Sequence, residues 1–353
     1  MTKKLKIAIL SGGKSAEHEV SLVSAANILN AINKDKYDVI QLKISKKGSW
    51  FLEGVPVLFS QNYGDRKIIE METGKVLSEI DVLFPVLHGP YGEDGTVQGL
   101  AKLAGIPFVG PGILASSAGM DKDVTKRLLR DAGISIAKFF TLRKSRPNEY
   151  TYESIVQELG NELFVKPANM GSSVGVSSAK DKKEFEIALK EAFLYDDKVI
   201  VEEKITGREI ECAVLGNDFP KASIPGEIVP TKSFYSYESK YLDDNDARLD
   251  IPAKLEADIF PVIQDLAIKT YQCLECKGMT RVDMFLKPDN SLVINEINTI
   301  PGFTKISMYP ALWSYSGIPQ TELIDQLIQF AIEEFEHQNK LESSYTNSIK
   351  EHG

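Results

Sequence analysis

Four side chains in the stretch TRVDMFLKPDNSLVINEINTIPGFTKISM (280–308) are spaced so that they could act together. It reads as two strands joined at Pro288-Asp289-Asn290, a cluster of turn residues. With Asp289 and Asn290 as the turn, antiparallel pairing sets Asp283 opposite Glu296 and Arg281 opposite Asn298. Side chains alternate along a strand, so these four share one face. Two carboxylates and an amide oxygen at close quarters repel one another unless a positive charge lies between them. Hard oxygen ligands on rigid strands suit Mg²⁺, which leaves coordination positions for water and substrate phosphates. The hairpin alone reads equally well as a solvated sheet face with salt-bridged carboxylates.

Two more sets of reactive residues fall where strands end. LKIAIL (5–10) reads as a buried parallel strand, SGGKS as its turn and Val20–Ile32 as a helix, which places Glu17, His18 and Glu19 at the loop-to-helix junction. Open α/β sheets bind ligands there, although Glu17 and Glu19 could also simply favour a helix N-terminus. The strand YDVIQLKIS follows, then DVLFPVL, which runs into His88-Gly89-Pro90-Tyr91-Gly92-Glu93-Asp94-Gly95-Thr96, a glycine-rich loop carrying a histidine and two acids. GKS at 13–15 is not a P-loop, because Ala8 stands where that motif needs its first glycine, and no G-x-G-x-x-G is present.

A lysine- and arginine-rich helix is expected over Asp121–Ala132, past a domain boundary. Beyond it, Lys166 lies on a strand one loop before Gly171-Ser172-Ser173-Val174-Gly175, whose small residues and free N–H groups suit a cover over a polyphosphate. Residues 225–250 lack periodicity and read as a lid, with Lys240 and Tyr241 reaching into a site from above, or as a solvated excursion. A closing helix over Glu322–His337 carries an apolar stripe.

A chain of 353 residues implies two or three domains, and 43% hydrophobic with 26% charged residues is ordinary soluble globular composition. The net charge of −9 argues against a general nucleic-acid binder. Neither a signal peptide nor a membrane-length apolar run is read, so a cytoplasmic location without membrane contact is expected. Three cysteines make no disulfide framework. The C-x-x-C of Cys273 and Cys276 sits in a helical pattern and reads as packing rather than zinc or redox chemistry.

Taken together, GGKSAEHEVS (12–21), LHGPYGEDGTVQG (87–99), MDK (120–122), VKPANMGSSVGV (165–176), EEKITGREIE (202–211), YESKY (237–241), RVD (281–283) and NEINTIPGFTKISM (295–308) resemble the D-alanine–D-alanine ligases of the ATP-grasp superfamily. The resemblance implies an α/β fold with three-domain ATP-grasp architecture: an N-terminal parallel-sheet βα domain (1–118), a central domain (119–212) and a C-terminal metal domain (213–353) with a lid at about 231–246. It implies ATP bound by Lys122, Lys166, Ser173, Glu202, Ile205 and Glu209, and two Mg²⁺ ions, with Mn²⁺ as a substitute, on Asp283, Glu296 and Asn298. Glu17 would hold the ammonium of the first D-alanine with Ser172 as its partner. Arg281 and the Gly302 N–H would form the oxyanion site, Ser307 would bind the second carboxylate, and His88 would lie on the substrate side. The reaction implied joins two D-alanines through a D-alanyl phosphate for peptidoglycan precursors, in a homodimer. Two features bear on the match. Met170 stands where some members carry an acid, and Tyr241 occupies a lid position where makers of the D-lactate depsipeptide tend to lack tyrosine.

Overall fold

The computed structural model describes residues 3–60, 62–147, 149–230 and 247–341. Lys240 and Tyr241, with the lid read at 231–246, lie outside the described residues. The first unit is a sheet of seven strands: β1 (Leu5–Gly12), β2 (Tyr37–Ile44), β3 (Trp50–Leu52), β4 (Val55–Phe59), β5 (Lys67–Glu70), β6 (Val76–Glu79) and β7 (Val82–Pro85), in the order β6-β5-β4-β3-β2-β1-β7. Only β1 with β2 and β1 with β7 pair in parallel; these are the three strands read from hydrophobic runs. The other four are short, partly exposed and antiparallel, and add a meander that no continuous apolar run announced.

Strand β1 alternates between two cores. Ile7 and Ile9 pack into one, Ala8 and Leu10 into the other. The first face is covered by α1 (His18–Ala31), and the second by α2 (Thr96–Leu103). Two further helices, α3 (Ile113–Met120) and α4 (Lys122–Asp131), lead to a four-stranded antiparallel sheet. Its strands β8 (Phe139–Arg143), β9 (Leu163–Pro167), β10 (Ser177–Ala179) and β11 (Lys198–Glu203) lie in the order β10-β9-β11-β8, packed on α5 (Tyr152–Leu159) and α6 (Lys182–Ala192).

The third sheet contains β12 (Arg208–Gly216), β13 (Lys221–Ala222), β14 (Gly226–Pro230), β15 (Ala247–Asp250), β16 (Gly278–Leu286) and β17 (Leu292–Asn298), all antiparallel. Helix α7 (Ile259–Cys273) covers one face. Then α8 (Met308–Tyr315) and α9 (Gln320–Asn339) return the chain to the first sheet, where Leu323, Ile324, Leu327 and Ile328 share a core with Ile7, Ile9, Val82 and Phe84. The apolar stripe of the last long helix is therefore buried against the first strands, which ties the two ends of the chain to one core. Among the described residues no helix is long and apolar enough to cross a membrane. Cys212, Cys273 and Cys276 are free, with Cys212 and Cys276 buried, as packing residues would be.

Candidate active site

The hairpin β16–β17 pairs Arg281 with Asn298 and Asp283 with Glu296, the register read from the sequence, but it arrives there differently. Its turn spans three residues, Pro288-Asp289-Asn290, closed by Lys287 N–H donating to Ser291 O at 2.9 Å, with Asn290 left-handed at φ 62°. That would shift the register by one, and an irregularity after Asp283 restores it. The extra residue, Asn295, accepts from Lys166 Nζ at 3.3 Å, so the bulge aims a side chain across the sheet junction.

On that face Arg281 donates to both Asp283 oxygens at 2.7 Å through Nε and Nη2, and its Nε also lies 2.9 Å from Glu211 Oε2 on β12. Asn298 Nδ2 donates to Asp283 Oδ2 at 2.9 Å, and Lys122 Nζ lies 3.8 Å from Glu296. Burial alone would lower Arg281, but Asp283 and Glu211 outweigh it and hold the guanidinium protonated well above its ordinary range. As a metal donor set, two carboxylates and an amide fit a hard divalent ion, and carboxylate oxygens with two acceptor sites each can serve a cation and a hydrogen bond together. Among the described residues no group of three His, Cys, Asp or Glu side chains converges on a metal position, so the amide is needed to complete such a set.

Lysines meet this face from the central unit. Lys166 on β9 donates to Glu202 Oε2 on β11 at 2.9 Å, and Lys126 Nζ lies 3.1 Å from the other Glu202 oxygen. Glu202 is thus held between two lysines and is 3% exposed. Burial raises its carboxyl, but Lys126 and Lys166 outweigh that and leave it below its ordinary value. The two lysines diverge. Burial lowers Lys126 against the pull of Glu202, whereas for Lys166 burial is outweighed by Glu202, Glu296 and Glu209. Lys122 Nζ donates to Met170 O at 2.6 Å, just before the Gly/Ser loop. In that loop Ser172 and Ser173 are left-handed, at φ 50° and 60°, and Val174 N–H donates to Gly171 O at 3.1 Å. Ile205 lies in the turn joining β11 to β12, and Glu209 near the start of β12.

The third component comes from the first sheet. Glu17, the N-cap of α1, is 7% exposed and accepts a hydrogen bond from Ser172 Oγ. Glycines make room for its carboxylate: a Cβ on Gly89 would lie 2.6 Å, and one on Gly171 2.7 Å, from Glu17 Oε2. His88 is buried. Its Nδ1 lies 3.0 Å from Ile300 O and its Nε2 3.4 Å from Ser24 Oγ, and burial pushes the imidazole below its ordinary value despite Glu17. A neutral ring with Nδ1–H donating to Ile300 O satisfies both contacts. Glu93 accepts from Gly89 N–H at 2.7 Å and Ile300 N–H at 3.0 Å; burial and then the Glu17 charge push it up to about 8. Gly302 follows Ile300 by two residues, and a Cβ there would meet Ser307 Oγ at 2.9 Å. Ser307 stands at the N-cap position of α8 without a side-chain capping bond, and its Oγ accepts from Thr304 N–H at 2.9 Å.

The described residues read from the sequence as site residues therefore lie on strands, on loops, at the first position of α4 (Lys122) or on the one hairpin face. Lys126, Glu211 and Asn295 are not read as site residues from the sequence, and Glu93 is read only as one of the two acids in the loop after β7. Lys126 had a signal, standing one helical turn after Lys122, and so did Glu211, alternating with Glu209.

Comparison with known proteins agrees with this arrangement. The family profile described as D-ala D-ala ligase C-terminus matches residues 128–329, and that described as D-ala D-ala ligase N-terminus matches residues 6–111. A D-alanine–D-alanine ligase of Oceanobacillus iheyensis is 50% identical, with 97% of this chain and 99% of that protein covered. The structure of the D-alanine–D-alanine ligase from Coxiella burnetii superposes with a TM-score of 0.84 at 39% identity, covering 96% of this chain and 98% of that one. The VanG D-Ala:D-Ser ligase from Enterococcus faecalis superposes at 0.83 and 37%, covering 93% and 100%. With both profiles matched in order and half the residues shared with a full-length relative, this chain belongs to the D-alanine–D-alanine ligase family.

Proposed function

We propose that this chain joins two D-alanines to D-alanyl-D-alanine, using ATP to form a D-alanyl phosphate, and so supplies peptidoglycan precursors. The observation that carries the reading is the Glu17–Ser172 contact, which brings a buried carboxylate of the first sheet under the Gly/Ser loop of the central unit. There Gly89 and Gly171 leave room for it, and it acts together with Arg281 of the hairpin on His88 and Glu93.

The residues divide the work. Glu17, with Ser172, binds the ammonium of the first D-alanine and orients its carboxylate toward the phosphates. Lys122 and Lys166 meet those phosphates, Ser173 in the loop covers them, and Glu202, Ile205 and Glu209 line the adenosine side. Asp283, Glu296 and Asn298 would hold Mg²⁺, as a pair of ions replaceable by Mn²⁺, which supplies charge neutralisation for phosphoryl transfer. Arg281, held by Asp283 and Glu211, would with the Gly302 N–H stabilise the oxyanion formed when the second amine attacks. Ser307 binds the second carboxylate, and Lys240 and Tyr241 close over the acyl phosphate to exclude water. His88 supports the substrate side by fixing Ile300. The unit boundaries 1–118, 119–212 and 213–353, a homodimer and a cytoplasmic setting complete the reading.

The test measures phosphate release from ATP with Mg²⁺ and D-alanine, with products identified by mass, and then offers D-lactate or D-serine as competitor. Dipeptide from D-alanine alone is expected. ATP binding without D-alanine-dependent phosphate release defeats the proposal. Preferential mixed product with D-serine would favour a D-alanine–D-serine ligase instead, the activity for which the similar VanG enzyme is named.

A further inference from the structure

The turn that carries Gly302 is held from outside. Ile300 N–H donates to Glu93 Oε1 at 3.0 Å, and Ile300 O accepts from His88 Nδ1 at 3.0 Å. Phe303 N–H donates to Ser24 Oγ at 3.1 Å, and Phe303 O accepts from Asn27 Nδ2 at 2.7 Å. The residues on either side of Pro301-Gly302 are thus bonded at both main-chain groups by the first unit. Ser24 and Asn27 belong to α1, whose N-cap is Glu17, and the other Glu93 oxygen accepts from Gly89 N–H, beside the Glu17 carboxylate.

Glu93 suits this junction because both groups that face it are N–H donors, and an ionised carboxylate is the side chain that offers two acceptor oxygens and no donor. Glutamine must turn an NH₂ toward one of them. We infer that Glu93 is a positioning residue for the proposed ligation: by clamping Gly89 to Ile300 it sets the distance between the Glu17 ammonium cage and the Gly302 N–H. This rests on the ligase reading above. Its force comes from tolerance, since a displacement of about 1 Å in a reacting geometry costs on the order of a hundredfold in rate. The charged groups acting on Glu93 are Glu17 from the start of α1 and Arg281 from β16, while His88 on its own loop is bonded to the same Ile300. With burial and Glu17 raising its carboxyl to about 8, both oxygens are pure acceptors only on the alkaline side.

The test compares wild type with Glu93→Gln, which is isosteric with the protonated acid, in dipeptide synthesis at saturating ATP and D-alanine, from about pH 6 to about pH 9.5. Taking the ratio of the two at each pH cancels titrations common to both. At about pH 9 the variant's kcat is expected to be about ten- to a hundredfold lower, the value of one charge-assisted hydrogen bond, with the KM for ATP within about twofold. Below about pH 7 the ratio is expected to narrow, because wild type then carries the proton as well. A kcat within about twofold at about pH 9, or the same loss at every pH together with a raised KM for ATP, overturns the inference. If Glu93→Gln does not fold, Ser24→Ala removes the acceptor for Phe303 N–H with the carboxyl intact. A fall of about three- to tenfold in kcat is expected there, and an unchanged kcat overturns the inference. A wild type that makes no dipeptide overturns the ligase reading along with this one. An active wild type with indifferent variants overturns this one alone.

Discussion

Lys126→Met tests whether the buried charge cluster of the central unit is as tightly coupled as its geometry implies. The Lys126 and Glu202 side chains are 2% and 4% exposed, so water screens little of their contact at 3.1 Å. Breaking a buried pair by removing one partner typically costs about 3–5 kcal/mol, because the other charge stays buried. Here Glu202 keeps Lys166 at 2.9 Å, which places the expectation at the lower end, about 3 kcal/mol. Methionine preserves most of the stem, so lost packing adds less than about 1.5 kcal/mol. Amide hydrogen exchange across β9 and β11 reads this locally, without assuming that a chain with several cores unfolds in one step. Combining Lys126→Met with Glu202→Gln should cost less than the sum of the singles, by about 0.5–3 kcal/mol. Strand opening energies within about 0.5 kcal/mol of wild type, or strictly additive costs, would refute the coupling.

Gly171→Ala should raise the KM for the first D-alanine, since its Cβ would lie 2.7 Å from Glu17 Oε2; saturation kinetics check it. Gly99→Ala is the contrasting change: the position is helical with nothing within 4 Å of the added carbon, so a gain of about 0.5–1 kcal/mol in unfolding free energy is expected. In native thiol labelling, Cys273 should react first, because Cys212 is buried and pushed up to about 12 and burial also raises Cys276; equal rates for all three would count against the fold. The raised Glu93 carboxyl also predicts a stability profile. The folded state binds this proton more tightly than the unfolded chain, so its contribution is full below the ordinary value of 4.5 and is lost as pH rises through about 8. Melting curves between these limits should fall more steeply for wild type than for Glu93→Gln.

Much of the site was legible where a short window of sequence dictates geometry. The alternation Arg281-x-Asp283 and Glu296-x-Asn298 placed four side chains on one face, because a strand's period admits no other arrangement once the turn is located. The turn is one residue longer than the sequence suggests, and the pairing still holds because a bulge at Asn295, whose side chain accepts from Lys166 of another sheet, compensates. The apolar stripe of α9 announced a buried face, but it could not say that this face would meet β1 and β7 at the other end of the chain.

Residue type and spacing by themselves determined that carboxylates, lysines and glycine loops would stand at strand ends, which is where this family's chemistry is read. Only the tertiary structure decided which of those charges are paired and buried. Lys126, on a helix that reads only as lysine- and arginine-rich, is 1% exposed, because Glu202 of β11 and the Phe139 ring of β8 meet it. Glu93 and Ile300 are 207 residues apart, and their bond exists because the loop after β7 meets the chain leaving β17 of the third sheet. Periodicity is a local property of the backbone and is written in the sequence, whereas desolvation of a charge is set by whatever distant element packs over it.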